Sequence, residues 1–166
     1  MSIFSQFFGE VTNKKPDKAT AEELQRQRAA QIAEQEKEKE QVLAEDLASK
    51  LPKMLEGAAK MFESNVPESG QMKDTGICFG IPDRFVKKWF IIVSNAYSEP
   101  ANRRLMISAE FPNDDRYERP MAGYVMSEYL MRGTKQEILD YLATRECVDE
   151  IVKSVARLDK SVRNHD

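Results

Sequence analysis

Three short apolar runs between residues 88 and 131 limit what this chain can fold into more than any other feature. They read Lys88-Trp-Phe-Ile-Ile-Val-Ser-Asn-Ala-Tyr97, Arg103-Arg-Leu-Met-Ile-Ser-Ala-Glu-Phe111 and Tyr124-Val-Met-Ser-Glu-Tyr-Leu-Met131. Each is rich in β-branched and aromatic residues and gives way to Pro, Asn, Asp or Gly, which is the signature of strands in an antiparallel meander. In the second run Leu105, Ile107, Ala109 and Phe111 alternate with Arg104, Met106, Ser108 and Glu110, so one set faces a core and the other faces water. The first run is apolar on both faces from Trp89 to Val93. That suits a central strand, or one covered by helices on one side and by something else on the other. The third run offers two faces, Tyr124, Met126, Glu128 and Leu130 against Val125, Ser127, Tyr129 and Met131, and its pattern does not choose between them.

A sheet with a dry face needs helices to cover it, and the flanking sequence supplies them. Met54, Leu55, Ala58, Met61 and Phe62 make one helical face ahead of the strands. Pro52 interrupts the pattern before it, and Ser49 reads as the cap of a fresh helix whose first turn tolerates a proline. After the strands, Thr134-Lys-Gln-Glu137 is a capping box opening a helix with Ile138, Leu139 and Leu142 inward. A last helix from near Cys147 carries Val148, Ile151, Val152, Val155, Leu158 and Val162 at three- and four-residue spacing. Gly76-Ile-Cys-Phe-Gly-Ile-Pro82 reads as a short extra strand. Its two glycines match neither the phosphate-loop nor the dinucleotide fingerprint.

The N-terminal part differs. Thr20-Ala-Glu-Glu23 is another capping box, and a helix over residues 20–48 follows from its Ala, Glu, Gln, Lys and Arg content. Between Leu24 and Gln41 its large apolar residues are Leu24 and Ile32 alone, with no sustained heptad, so this stretch is expected as a solvated arm. Ahead of it Ile3, Phe4, Phe7, Phe8 and Val11 form an apolar stripe at helical spacing, followed by the polar linker Thr12–Lys18. Such a stripe docks in a partner's groove, lies on a membrane surface or folds back on its own domain. The lack of basic residues within it favours a protein partner over lipid, with a membrane surface reached through residues 1–18 as the other option.

Composition narrows the function classes. With 25 basic and 28 acidic residues among 166 the net charge is −3, which argues against a dedicated nucleic-acid binder. No stretch is long and apolar enough to span a bilayer, and no signal peptide is apparent, so a cytoplasmic location is expected, peripheral to a membrane or within an assembly. Cys78 and Cys147 stand in apolar surroundings and read as two reduced, buried thiols, with a disulfide between them left open.

Catalytic motifs are missing. The single histidine, His165, stands next to the C-terminal residue, where nothing holds it for nucleophilic catalysis or zinc binding. The acidic loop Asp114-Asp-Arg-Tyr-Glu118 lacks calcium-loop spacing. Glu110 and Glu128 would make a carboxylate pair only if their strands brought them together. Arg103, Arg104, Arg116 and Arg119 lie at or near strand ends and mark a polar or anion-binding surface, with Trp89, Tyr117 and Tyr124 nearby. No catalytic residue, cofactor or metal ligand is assigned.

The expectation is therefore an α+β chain with an antiparallel meander of three to four strands packed by helices and a long polar N-terminal helix projecting from the domain. Residues 1–18 form an amphipathic hook and linker, 19–42 a solvated arm, and 43–166 the core. The expected function is a non-enzymatic protein–protein interaction module, an adaptor, accessory subunit or assembly factor, of open oligomeric state. The alternative is a small ligand-binding or enzymatic domain using the sheet face and the 112–120 loop. The two separate on whether the face bearing Glu128 lines a deep pocket.

Overall fold

The computed structural model describes residues 18–95, 100–110 and 125–164, and the fold is α+β. Helix α1 spans Lys18–Asn65. Strands β1 (Thr75–Phe79), β2 (Lys88–Asn95), β3 (Arg103–Glu110) and β4 (Val125–Gly133) follow, with a 3-10 turn at Pro100–Asn102. Helices α2 (Lys135–Leu142) and α3 (Arg145–Arg163) close the described chain. The strands form one antiparallel sheet in the order β1-β2-β3-β4, the meander read from the sequence plus the short strand at Thr75–Phe79. The chain divides into two compact units, Met1–Lys39 and Glu40–Asp166.

The second unit holds the core. Trp89, Ile91 and Val93 of β2 and Leu105, Ile107 and Ala109 of β3 point to one side of the sheet. They meet Leu47, Leu51, Leu55, Ala58 and Phe62 of α1, Ile138 and Leu142 of α2, and Cys147, Ile151, Val155, Leu158 and Val162 of α3 in one cluster. Each large side chain buried there contributes roughly 1.5–3 kcal/mol. The undecided face of the third strand resolves here: Met126, Leu130 and Met131 pack against this core, and Glu128 shares their side. Leu130 is an extra residue in β4, since Leu105 pairs with Met131 while Met106 pairs with Tyr129. This bulge lets Leu130 and Met131, adjacent in sequence, both reach the core.

Polar contacts fix the elements around that core. The Thr134 hydroxyl accepts the Glu137 amide, and the Glu137 carboxylate accepts the Thr134 amide, so the second capping box forms as read. A side chain at Gly133 would run into Glu137, so β4 must end on glycine for the cap to close. Thr144 caps α3 by accepting the Cys147 amide, so that helix begins at Arg145 rather than at Cys147. The Asp159 carboxylate on α3 is buried and accepts the Val86 amide at 3.0 Å and an Arg163 guanidinium N–H at 3.1 Å, which pins the loop ahead of β2. Arg84 in the same loop is buried and donates to Glu40 at 2.8 Å, so the first residue of the second unit is held to it.

Two local expectations fail. Pro52 does not break the helix: α1 runs through it to Asn65, and the Ser49 hydroxyl donates to the Asp46 carbonyl instead of capping. Proline removes one amide and crowds the carbonyl four residues back, at a cost of roughly 3 kcal/mol. Burial of Leu47, Leu51, Leu55 and Phe62 on both sides of it outweighs that cost. Thr20 is not a cap either, because α1 already includes Lys18 and Ala19.

Candidate interaction surface

Strand geometry places every second residue on the side of the sheet away from the core. On β2 these are Lys88, Phe90, Ile92 and Ser94. On β3 they are Arg104, Met106, Ser108 and Glu110, paired with them in register as Lys88–Glu110, Phe90–Ser108, Ile92–Met106 and Ser94–Arg104. Val125, Ser127, Tyr129 and Arg132 continue the face on β4, and Gly76 and Cys78 on β1. Phe90, Ile92 and Met106 are half-buried yet stand outside the core cluster. Val125 is 50% exposed and Tyr129 65%. Both α2 and α3 lie against β3 and β4, and α1 contributes its buried residues to the core on the same side. Among the described residues, no helix covers the outer face.

Polar side chains frame the apolar centre of this face. The Arg104 guanidinium donates to the Tyr129 hydroxyl at 2.8 Å and lies 5.3 Å from the ring centroid. A cation over an aromatic ring is an amphipathic pair common in binding surfaces. The Ser108 and Ser127 hydroxyls share a hydrogen bond of 2.6 Å across the strands. Lys88 approaches Glu110 to 3.8 Å at the opposite end from Arg104. Gly76 stands opposite Ile92, and a side chain there would press on the isoleucine at 3.0 Å.

The residues singled out from the sequence scatter. Arg103 is 0% exposed, on the core side of β3, and donates to the Pro67 and Gly70 carbonyls at 3.0 and 3.2 Å. Its charged head ties down the loop between α1 and β1 and reaches no surface; its Nε and Nη1 atoms have no partner. Of the two of these cations among the described residues, Arg104 is the one placed on the outer face of the sheet. Arg116 and Arg119 lie outside the described residues, as do the hook residues Ile3, Phe4, Phe7, Phe8 and Val11, the acidic 114–118 loop, Tyr117, Tyr124 and His165. Trp89 is buried, with its indole N–H donated to the Val86 carbonyl at 3.1 Å. Glu110 and Glu128 point to opposite sides of the sheet, so no carboxylate pair forms. Cys78 is exposed on the outer face, contrary to the expectation of burial; Cys147 is buried and both are free thiols.

Electrostatics on the core side are structural. Burial disfavours ionised Glu128, but hydrogen bonds from Arg157 and Ser154 and the Arg157 charge outweigh it and hold the carboxyl below its usual value. Arg157 donates to both Glu128 oxygens at 3.2 and 2.9 Å, clamping α3 to β4. Burial, with the charge of Glu146, pushes the Cys147 thiol up to about 12. Burial likewise raises Tyr141 to about 12, assisted by Cys147, Glu146 and Glu150. Neither group ionises near neutral pH, so neither serves as a nucleophile or base there.

One cleft of about 720 Å³ lies where α1 meets the α2–α3 junction. Its walls are Ala48, Pro52, Leu55, Ala59, Leu142 and Val148, with Arg145 and Asp149 at the rim. Among the described residues no three His, Cys, Asp or Glu side chains gather as a metal site, and no helix is long and apolar enough to cross a membrane.

In the first unit, residues 18–39 of α1 are exposed throughout, including Leu24 at 49% and Ile32 at 56%. The intrahelical ion pairs of α1, Asp46–Lys50 and Glu56–Lys60, lie in its other half. No protein-family description, curated protein or solved structure matches this chain.

Proposed function

We propose that this protein is a non-enzymatic protein–protein interaction module, acting as an adaptor, accessory subunit or assembly factor. The observation that carries the reading is the outer face of the sheet. Phe90, Ile92 and Met106 sit on the two central strands outside the core, beside exposed Val125 and Tyr129. An apolar sheet centre framed by Arg, Tyr and Lys has the composition of an interface core with its polar rim. The exposed helical stretch 18–39 and the apolar stripe Ile3, Phe4, Phe7, Phe8 and Val11 provide further contact surface. Free Cys78 and Cys147 suit a reducing compartment such as the cytoplasm.

The ligand-binding alternative required a deep pocket at the face bearing Glu128. That face carries α3, with Arg157 clasping Glu128, which favours the interaction reading. Affinity capture tests it, using the intact chain, an Ile92→Lys/Met106→Lys variant and a Phe4→Ser/Phe7→Ser variant. The expected result is a defined partner set lost from one or both variants while their circular dichroism stays native. The same partner set retained by all three would refute the reading.

A further inference from the structure

We propose that the Arg84–Glu40 pair is a latch that sets where the exposed part of α1 begins, and that its opening lengthens that part by residues 40–46. The inference stands apart from the interaction reading and uses none of the sheet face.

Little else holds this stretch. The first residue of α1 in the core cluster is Leu47, and Ala48 packs beside it. Val42 is 65% exposed, while Leu43 and Ala44 are half-buried but belong neither to the cluster nor to the apolar residues packed against it. Gln41 bonds to Glu45, and Ser49 and Lys50 bond to Asp46, all within α1. Among the described residues, Arg84–Glu40 is the ion pair that ties the stretch to another element. Seven residues make about two helical turns. Those two turns depend on one polar bond of 2.8 Å and two half-buried apolar side chains.

The bond forms in surroundings that weaken it. The Arg84 side chain is 2% exposed, yet its Nε and Nη2 are buried without a partner, as is Oε1 of Glu40. A buried guanidinium with unmade hydrogen bonds bears much of its desolvation cost, so a half-satisfied pair holds less firmly than its short distance suggests. Asp83, the residue before it, has a φ of 59°, in the left-handed region that an L-residue enters at a cost. The loop backbone around it is pinned. Asp159 holds the Val86 amide, Lys87 Nζ donates to the Arg84 carbonyl at 2.9 Å, and Ile81 and Val86 lie in the core. What moves is therefore the Arg84 side chain and the helical turns it holds, not the loop. In the open state the guanidinium reaches water and recovers its hydrogen bonds, and Glu40, whose side chain is 45% exposed already, loses little. The pair specifies the closed position more than it stabilises it, a role for which buried ion pairs are suited.

Residue-resolved native hydrogen exchange of the full chain tests the latch. In the wild type, the amides of residues 43–46 should exchange about a hundredfold or more faster than those of 55–62, because a local opening releases them before the core unfolds. Glu40→Gln keeps the size of the partner and removes its charge. It should speed exchange at 43–46 about tenfold and change 55–62 by less than about twofold, since the loss is limited to the opening step. Glu40→Met/Arg84→Met replaces the half-satisfied pair by an apolar one and should slow exchange at 43–46 about tenfold, which a pair that merely stabilises the fold would not allow. Equal protection of 43–46 and 55–62 in the wild type overturns the proposal. So does a Glu40→Gln variant that speeds both sets by the same factor or fails to fold, because the pair then belongs to the core. A double methionine variant that exchanges at 43–46 as fast as the wild type, or faster, overturns it as well.

Discussion

The two faces of one sheet carry similar side chains to different ends. On β2, Trp89, Ile91 and Val93 face the helices and are buried, while Phe90 and Ile92 between them face away and stay outside the core. Composition does not separate these sets; only the cover does. On the inner side, three helices exclude water, and polar groups that enter are tied down: Glu128 to Arg157, Asp159 to Val86 and Arg163, and Arg103 through its Nη2 atom to two carbonyls. On the outer side Lys88, Arg104 and Glu110 sit at the margin, while Ser108 and Ser127 bond to each other between the apolar side chains. A strand apolar on both faces thus does not say by itself which face the helices of its own chain cover.

The contrast can be broken most forcefully with charge. Leu158→Asp puts an unpaired carboxylate against the inner face and should cost about 4 kcal/mol or more, leaving no cooperative unfolding transition. Val125→Asp, on the outer side of β4, should stay within about 1 kcal/mol of wild type. Native far- and near-ultraviolet circular dichroism from the Leu158 variant would mean that α3 does not pack as described.

A smaller contrast concerns arginines of the two faces. Arg103→Ala deletes the donor to the Pro67 and Gly70 carbonyls and should cost about 2–4 kcal/mol in urea unfolding. Arg132→Ala, outward on β4, should cost no more than about 0.5 kcal/mol. Equal effects would show that Arg103 is not the tether of the 66–74 loop.

The ion pair on the inner margin is weaker again. Glu128→Gln should cost about 0.5–1 kcal/mol at neutral pH, since Arg157 remains half-exposed. The folded carboxyl titrates below its usual value, so its contribution is present above the unfolded pKa, near 4.3, and is lost as pH falls through the folded one. The stability gap between wild type and Glu128→Gln should therefore close on acidification below about pH 4. A gap that widens in acid would contradict the Arg157 clamp.

The least perturbing comparison uses the thiols. Iodoacetamide should modify Cys78 in the native dilute protein and spare Cys147, whose burial raises its pKa to about 12.

Periodicity made much of this architecture legible. Alternation from Leu105 to Ala109 identified the inner face of β3, and the spacing from Val148 to Val162 identified the buried stripe of α3. Side-chain chemistry with a local partner was also readable, as in the Thr134 capping box. What failed depended on distant packing. Pro52 reads as a helix breaker because its cost is local, whereas the burial that overrides it comes from strands some forty residues on. Arg103 reads as a surface cation because nothing nearby in sequence suggests that the Pro67 and Gly70 carbonyls would receive it. Cys78 reads as buried from its apolar neighbours, but a strand exposes alternate residues. The outer face went unassigned as a site for a similar reason. Phe90 and Ile92 were visible as the second face of a central strand, but only the placement of all three described helices on the opposite side puts them outside the core.

The central claim is that adjacent isoleucines on β2 belong to different environments, and urea unfolding of Ile91→Thr and Ile92→Thr tests it most directly. Threonine keeps the β-branched shape, so strand preference is matched and the difference reports burial. Ile91→Thr should lose about 2–3 kcal/mol, since it buries an unpaired hydroxyl in the core, while Ile92→Thr should lose less than about 1 kcal/mol. Equal losses, or a larger one at Ile92, would mean that the outer face is a second core and not a docking surface.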